Sequence, residues 1–483
     1  MSHLDLLLTA PLLILGVSSL VLLMLGAFTR SACVTSVAAV VAIIAAATPI
    51  VLWPAVGPVF PIDSGAGGHL LEISPFTNIA TLILLGIGLL CLPLLGTYFK
   101  GKHHKPELYV LLILALTGMV AFIQSSHLLT LYVALELMSF PLYILAAFMR
   151  DDAKSSEAGL KYYVLGSMAS GLMLYGISLL YAGLGTLSFT GIFGAINAAV
   201  TAGTVAPVVL IGMCLTLLGS LFKLSVAPFH MWTPDVYEGA PTPVTAIMGA
   251  LPKIAAFCLL IRLLEGPFIS LHTIWQPALA WLAVASMLVG STLAVVQSNL
   301  KRLLAFSTIA NVGFILVGVV SASPQGTAGT LLYLAIYAIT NIGLFSALIA
   351  SGAKQVDDLK GLATRNPWLA ASFLLLLFSL AGIPPLAGFM AKFSVFAAAV
   401  ASGFTPLAIT GVLSSVIALF YSLWLIKVMY FDAPNPQAAE LPVAPTATGL
   451  QILLLICVAA TILLGVLPTL IGNATLAAAT AIF

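Results

Sequence analysis

Apolar residues run along this chain in blocks of about 18–28, long enough to cross the roughly 30 Å hydrocarbon layer as helices. The blocks lack the period-2 alternation of strands. Only helices or closed barrels satisfy the backbone in lipid, so the pattern predicts spanning helices. Fourteen are expected, at 5–28, 34–54, 76–98, 107–124, 127–149, 157–183, 205–228, 241–263, 275–297, 302–320, 327–351, 368–400 (interrupted), 406–430 and 448–472. The first 28 residues lack a basic lead-in and more spans follow, so they read as a spanning helix and not a cleaved signal. The expected fold class is an all-α polytopic membrane protein, a single transmembrane domain over 1–483. Residues 186–204 and 432–447 read as uncharged or Pro/Ala-rich connectors.

Composition agrees. Apolar residues make up 61% and charged residues 7% of the 483, against roughly 45–50% and about 25% in soluble proteins. A water-facing surface cannot be built from so few charges. A net charge of +2 without a Lys/Arg run excludes nucleic acid as a partner. The five cysteines (Cys33, Cys91, Cys214, Cys258, Cys457) are scattered, so buried thiols are expected, with no disulfide framework and no metal site.

The basic residues set an orientation. Loops after odd-numbered spans hold Arg30, Lys100, Lys102, Lys105, Arg150, Lys154, Lys161, Lys301, Arg302, Lys354, Lys360, Arg365 and Lys427; the opposite loops hold only Arg262. By the positive-inside rule the first set faces the cytoplasm, and both termini lie outside.

Three lysines remain, Lys223, Lys253 and Lys392, all inside apolar spans, and Glu136 is the one acid that joins them. A charge at membrane depth costs about 2.5–3.5 kcal/mol. A Glu136–lysine pair would brace two helices, yet two cations would still lack an acid. Burial moves lysine and glutamate toward neutrality, and a group poised there can accept and pass on a proton. The four residues are therefore read as a proton relay.

Two spans are broken beside these lysines. Pro228 follows Lys223; Gly382, Pro384, Pro385 and Gly388 precede Lys392. Proline removes a backbone donor and frees a carbonyl. Interrupted helices at membrane depth line cavities or ion pathways. Pro252 beside Lys253 adds a third weak point. There is also an internal repeat: GMVAFIQSSHLLTLYVALELMSF (118–140) resembles GSTLAVVQSNLKRLLAFSTIANVGF (290–314), with Gly118 matching Gly290. Helices 1–3 (1–100) would precede two inverted five-helix units, spans 4–8 (107–263) and 9–13 (275–430), with span 14 at 448–472.

The run KLSVAPFHMWTPDVYEGAPTPV (223–244), with LELMSFPLY, QSNLKRLLAFSTIANVGF and LAGIPPLAGFMAKF, resembles the antiporter-like membrane subunits of respiratory complex I, the proton-translocating NADH–quinone oxidoreductase, and most closely the subunit N type. The resemblance covers essentially the whole chain. It implies that Glu136 and Lys223 form an input pair, that Lys253 is the central relay and that Lys392 is the outlet-side group. It also places Glu157 and Lys161 near a cytoplasmic entrance. His230, Asp235 and Glu238 follow the first break and read either as helix-end caps or as groups for proton uptake. The implied partners are other complex I membrane subunits, further antiporter-like subunits among them. NADH, FMN, iron–sulfur clusters and quinone would reside on partner subunits, since no motif for any of them appears here. The implied location is a bacterial inner membrane. The rival expectation is a subunit of a multi-component sodium/proton antiporter, which shares this helix set.

Overall fold

A computed structural model describes residues 3–54, 56–61, 68–101, 105–434 and 448–482. The connector 435–447 and Lys102 lie outside the described residues. Nineteen α-helices and one hairpin are described. In chain order they are α1 His3–Thr29, α2 Ala32–Leu52, β1 Gly57–Pro61, β2 His69–Ile73, α3 Pro75–Tyr98, α4 Glu107–Gln124, α5 Leu128–Ala146 and α6 Ala153–Leu184. There follow α7 Phe189–Thr201, α8 Pro207–Leu224, α9 Trp232–Gly239, α10 Thr242–Glu265, α11 His272–Val295, α12 Leu300–Val320 and α13 Pro324–Ser351. The last are α14 Leu362–Arg365, α15 Pro367–Ala381, α16 Ala387–Ala401, α17 Thr405–Tyr430, α18 Thr448–Val466 and α19 Thr469–Thr480.

Among the described residues thirteen helices are long and apolar enough to cross a membrane. The halves α15 and α16, 15 residues each, make up the interrupted twelfth span. Local chemistry sets many starts. Ser74, Ser323 and Asn366 each accept a hydrogen bond from the first turn of the helix they precede, and a proline opens each of those helices.

Helices α10 and α12 form the centre. Every residue from Pro243 to Leu264 and from Leu303 to Val320 is buried. Helix α13 packs against α10, α12 and α16. Peripheral helices keep apolar side chains outward, among them Val17, Leu20, Leu160, Met168 and Leu413. Such a surface suits lipid.

The repeat has a hydrogen-bond counterpart. In the turn before α5, Leu128 N donates to Leu187 O and Phe189 N to Ser126 O. In the turn before α12, Leu300 N donates to Lys354 O and Val356 N to Ser298 O. His127 and Asn299 cap the two helices from equivalent places. A Cβ on Gly118 would run into the backbone of Met138, and one on Gly290 into that of Ala310. Each glycine lets one helix touch the backbone of the next.

Some features depart from the pattern reading. The hairpin β1–β2 pairs Val59 with Leu71, and Ser126 N donates to Leu70 O. The connector at 186–204 contains the helix α7, capped by Ser188. The chain continues past its last predicted span into α19. Cys33 and Cys214 are exposed, against the expectation of buried thiols, because they sit on outward helix faces; Cys91, Cys258 and Cys457 are buried.

Candidate functional site: lysines at two helix breaks

The seventh span ends where Ser225 takes a left-handed conformation, φ 66° and ψ 37°. The carbonyls of the last turn of α8 then need donors from elsewhere. Val226 N reaches Leu221 O, and Trp232 Nε1 reaches Phe222 O at 3.0 Å. Lys253, from the centre of α10, donates its Nζ to Lys223 O at 2.8 Å and to Ser225 Oγ at 2.6 Å. Thr233 Oγ1 donates to the same Ser225 Oγ at 2.6 Å. Ala227 N is held by Ser286 Oγ of α11 at 2.9 Å, so the break also touches the second half of the chain.

The twelfth span repeats the device. Gly382 is left-handed at φ 88°, and Lys392 donates to Ala381 O at 2.9 Å. A Cβ on Gly382 would crowd Lys392 Cδ at 3.0 Å, so glycine serves both the turn and the lysine. Gly388 N donates to Ser379 Oγ at 3.1 Å. A cation at a helix C-terminus is favoured by the carbonyl dipoles, which is a local reason for an amine at each break.

Aligned on the breaks, with Ser225 on Gly382, Lys223 falls opposite Leu380 and Lys392 opposite Asp235. The two lysines lie on opposite sides of their breaks. The amine that serves the first break's carbonyl is that of Lys253, as the Lys392 amine serves the second.

Lys223, Lys253 and Lys392 are all buried. Lys223 Nζ donates to Tyr162 Oη at 3.1 Å and lies over the rings of Tyr143 and Tyr162, 5.2 and 4.9 Å from their centroids. Lys253 Nζ is 5.3 Å from the Trp232 ring, and Trp232 stacks on Tyr162 at 4.6 Å. Each ring of the stacked pair thus has one of the two amines beside it. Lys392 Nζ lies 4.7 Å from the Phe314 ring.

Among the described residues none of these lysines makes an ion pair. The expected Glu136–Lys223 pair is therefore no contact. Glu136 is half-buried on α5 while Lys223 turns to the tyrosines. Each lysine keeps spare donor capacity, since an ammonium has three hydrogens.

A polar ladder on α12 and α13 lies in the centre of the bundle, between the Lys253 helix and the Lys392 helix. Asn341 Nδ2 donates to Tyr337 Oη at 3.3 Å, and Tyr337 Oη to Thr308 Oγ1 at 2.9 Å. Tyr333 Oη donates to Asn311 Oδ1 at 2.9 Å, and Asn311 Nδ2 to Ser307 O at 2.8 Å. Ser307 Oγ meets Tyr421 Oη at 2.8 Å. Gly249, one turn before Lys253, lies against the Asn341 amide. Asn341 Oδ1 and the Tyr237 hydroxyl are buried without a hydrogen-bond partner in the protein. This ladder escapes the sequence reading, although Tyr333, Tyr337 and Asn341 recur every four residues on one face of α13.

On the basic face, Glu157 and Lys161 pair at 2.8 Å, and Lys161 also reaches Asp235 at 3.1 Å. Arg302 of α12 meets Asp235 at 2.6 Å and Glu238 at 3.4 Å. Burial alone would raise the Asp235 carboxyl, but hydrogen bonds from Arg302 and Lys161 outweigh it and hold the pKa below the usual value. Lys154 and Gly239 help line a cavity of about 150 Å³ here. Asp235 and Glu238 therefore tie α9 to α6 and α12 and do not cap helix ends. His230 is half-buried in the break segment with Nδ1 unpartnered, and burial pushes its pKa down.

At the opposite face Arg262 is buried. Its Nη1 donates to Ile123 O at 2.7 Å and to Ser125 O at 2.6 Å, and its Nη2 to Glu72 Oε2 at 2.8 Å. It fastens the hairpin and the α4–α5 turn to the end of α10.

Fold and site together define a polytopic membrane protein with two interrupted spans and amines buried at both breaks. The chain belongs to the family described as NADH:quinone oxidoreductase/Mrp antiporter membrane proteins, whose profile matches residues 125–418. It is 43% identical over 463 residues to NADH-quinone oxidoreductase subunit N of Paramagnetospirillum magneticum, covering 92% of each chain. It is 41% identical over 479 residues to the subunit N of Rhodospirillum rubrum, covering 98% of this chain and 96% of the relative. Among solved structures it is similar to a chain of respiratory complex I from Thermus thermophilus with bound aureothin, with TM-score 0.81 and 30% identity over 96% and 98% of the two chains. It shares its fold with a chain of the Mrp complex from Dietzia, with TM-score 0.86 at 22% identity over 99% and 97%.

Proposed function

We propose that this chain is a proton-translocating membrane subunit of an NADH–quinone oxidoreductase, of the subunit N type, and that Lys223, Lys253 and Lys392 relay the proton. The observation that carries the relay is the direct contact of Lys253 with both Lys223 O and Ser225 Oγ. A proton leaving the Lys223 amine has an acceptor amine anchored to the same residue's carbonyl. The polar ladder of α12 and α13 offers hydroxyls and amides onward to the Lys392 helix, with Asn341 Oδ1 and Tyr237 Oη as attachment points for water. Glu136 acts on Lys223 at a distance as a tuning charge. Glu157, Lys161 and His230 stand on the uptake side.

Lysine suits the relay because its pKa moves readily on burial, whereas arginine stays charged. In this reading the chain performs no redox step and takes its place in the translocating enzyme as a subunit. NADH, FMN, iron–sulfur clusters and quinone belong to partner subunits, and further antiporter-like membrane subunits are its neighbours. The basic face meets the cytoplasm across a bacterial inner membrane, with both termini outside.

The test uses membranes that carry the whole complex, with and without this chain. Loss of NADH-driven proton translocation without the chain supports the assignment. A chain that instead exchanges sodium for protons with no dependence on NADH contradicts it.

A further inference from the structure

Two neighbouring cavities open on the basic face where α1, α4 and α5 meet. One, of about 370 Å³, is lined by Leu23, Gly26, Arg30 and Lys105 among others. The second, of about 550 Å³, is lined by Lys105, Leu111, Ile144, Phe148 and Arg150 among others. Leu23, Lys105, Glu107 and Val110 line both, so the two form one trough. Its floor is apolar, and three cations converge on its rim, with Glu107 the one acid in the lining.

The rim gathers cations that make no ion pair, and Lys100, Lys301 and Lys354 of the same face likewise make none among the described residues. Lys154, Lys161, Arg302, Lys360 and Lys427 on the same face all have acidic partners. Among the described residues Arg30, Lys105 and Arg150 have none. All three are exposed and share the lining of the trough with apolar side chains. Basic pockets between membrane helices take anionic head groups, and an apolar trough beneath them takes chains.

We propose that this trough is a binding site for one anionic phospholipid. The phosphodiester would rest among Arg30, Lys105 and Arg150. The acyl chains would lie along Leu23, Val110, Leu111, Ile144 and Phe148. Glu107 weakens the site and limits it to a lipid of low charge.

The test is native mass spectrometry of the full-length chain in detergent, titrated with phosphatidylglycerol and with phosphatidylcholine. The wild type should retain one phosphatidylglycerol with roughly tenfold preference over phosphatidylcholine, a preference that high salt weakens. Combined Arg30→Gln, Lys105→Gln and Arg150→Gln should remove the preference. Glu107→Gln should strengthen it, and a gain cannot come from misfolding. Leu23→Trp should block the trough with every charge in place. Unchanged preference in the triple variant overturns the proposal. So does equal competition by inorganic phosphate, which would mark a site for the head group alone.

Discussion

Lys253 holds the carbonyl oxygen of Lys223 at 2.8 Å, so the two amines are joined through the backbone at the helix break and not through a shared carboxylate. The contact explains why both features occur together. The break frees a carbonyl that must find a donor at membrane depth, and the lysine must find an acceptor. Each answers the other's need. Because a neutral amine also donates, the contact survives deprotonation of Lys253, which a brace made of an ion pair would not.

Ser225 separates the structural from the chemical role of that break. Its hydroxyl accepts from both Lys253 and Thr233. Its left-handed backbone costs a non-glycine residue roughly 1–2 kcal/mol. Ser225→Gly should lose the hydroxyl but relieve the backbone, leaving thermal stability within about 1 kcal/mol of the wild type. Proton translocation should fall. Full translocation with unchanged stability would show that the hydroxyl has no part in the path.

The ladder on α13 makes a second, separable prediction. Tyr337→Phe keeps the ring and removes the hydroxyl that joins Asn341 to Thr308. Leaving partners short of a bond should cost about 1–3 kcal/mol. Proton translocation should drop further than electron transfer. Tyr421→Phe, at the far end of the ladder beside Ser307, should have a weaker effect on translocation.

Arg302 and Asp235 join the two halves of the chain at the basic face. The Asp235 carboxyl titrates below its ordinary value of about 4. A depressed carboxylate contributes stability that is present above that ordinary value and is lost as pH falls through the lower folded one. Melting temperature between pH 7 and pH 3 should therefore hold down to about pH 4 and decline below it. Arg302→Gln should shrink this decline, because without the arginine the Asp235 carboxyl titrates nearer its ordinary value. At neutral pH the variant should lose about 1 kcal/mol, since both side chains are partly exposed. An undiminished decline would mean that the pair does not hold α9.

Gly118 and Gly290 occupy the two helix crossings where a Cβ would strike the neighbouring backbone. Each exchange to alanine should cost about 1–3 kcal/mol in thermal unfolding, and the two costs should be similar. A large cost at one site alone would contradict their equivalence.

Much of this was legible in the chain. Long apolar blocks forecast the spans because lipid admits so few backbone solutions, and Lys223, Lys253 and Lys392 stood out because charge at that depth is costly. The breaks at Pro228 and at Pro384–Pro385 were marked by residues that cannot continue a helix. The partner of Lys253 was hidden, because it is a backbone carbonyl 30 residues away in sequence. That Lys223 hydrogen-bonds Tyr162, with Glu136 making no direct ion contact to it, was hidden for a related reason, since opposite charges within one span set do not reveal which side chain stands nearest. The hairpin was hidden in strands of five residues each, too short for an alternation to register. Arg262 read as a loop cation, yet it is buried and bound to Glu72 and two carbonyls. Glu72 in turn is held down to about pKa 2 by the His69 imidazole 3.9 Å away and by the Arg262 charge, against the effect of burial.

The most direct measurement is protons translocated per NADH oxidised in the intact complex carrying Lys253→Met. That side chain preserves the volume and removes the titrating group. The relay predicts a lower ratio with the complex assembled and NADH oxidation at the flavin retained. An unchanged ratio would contradict it, and Lys253 would then be only the donor that satisfies a broken helix.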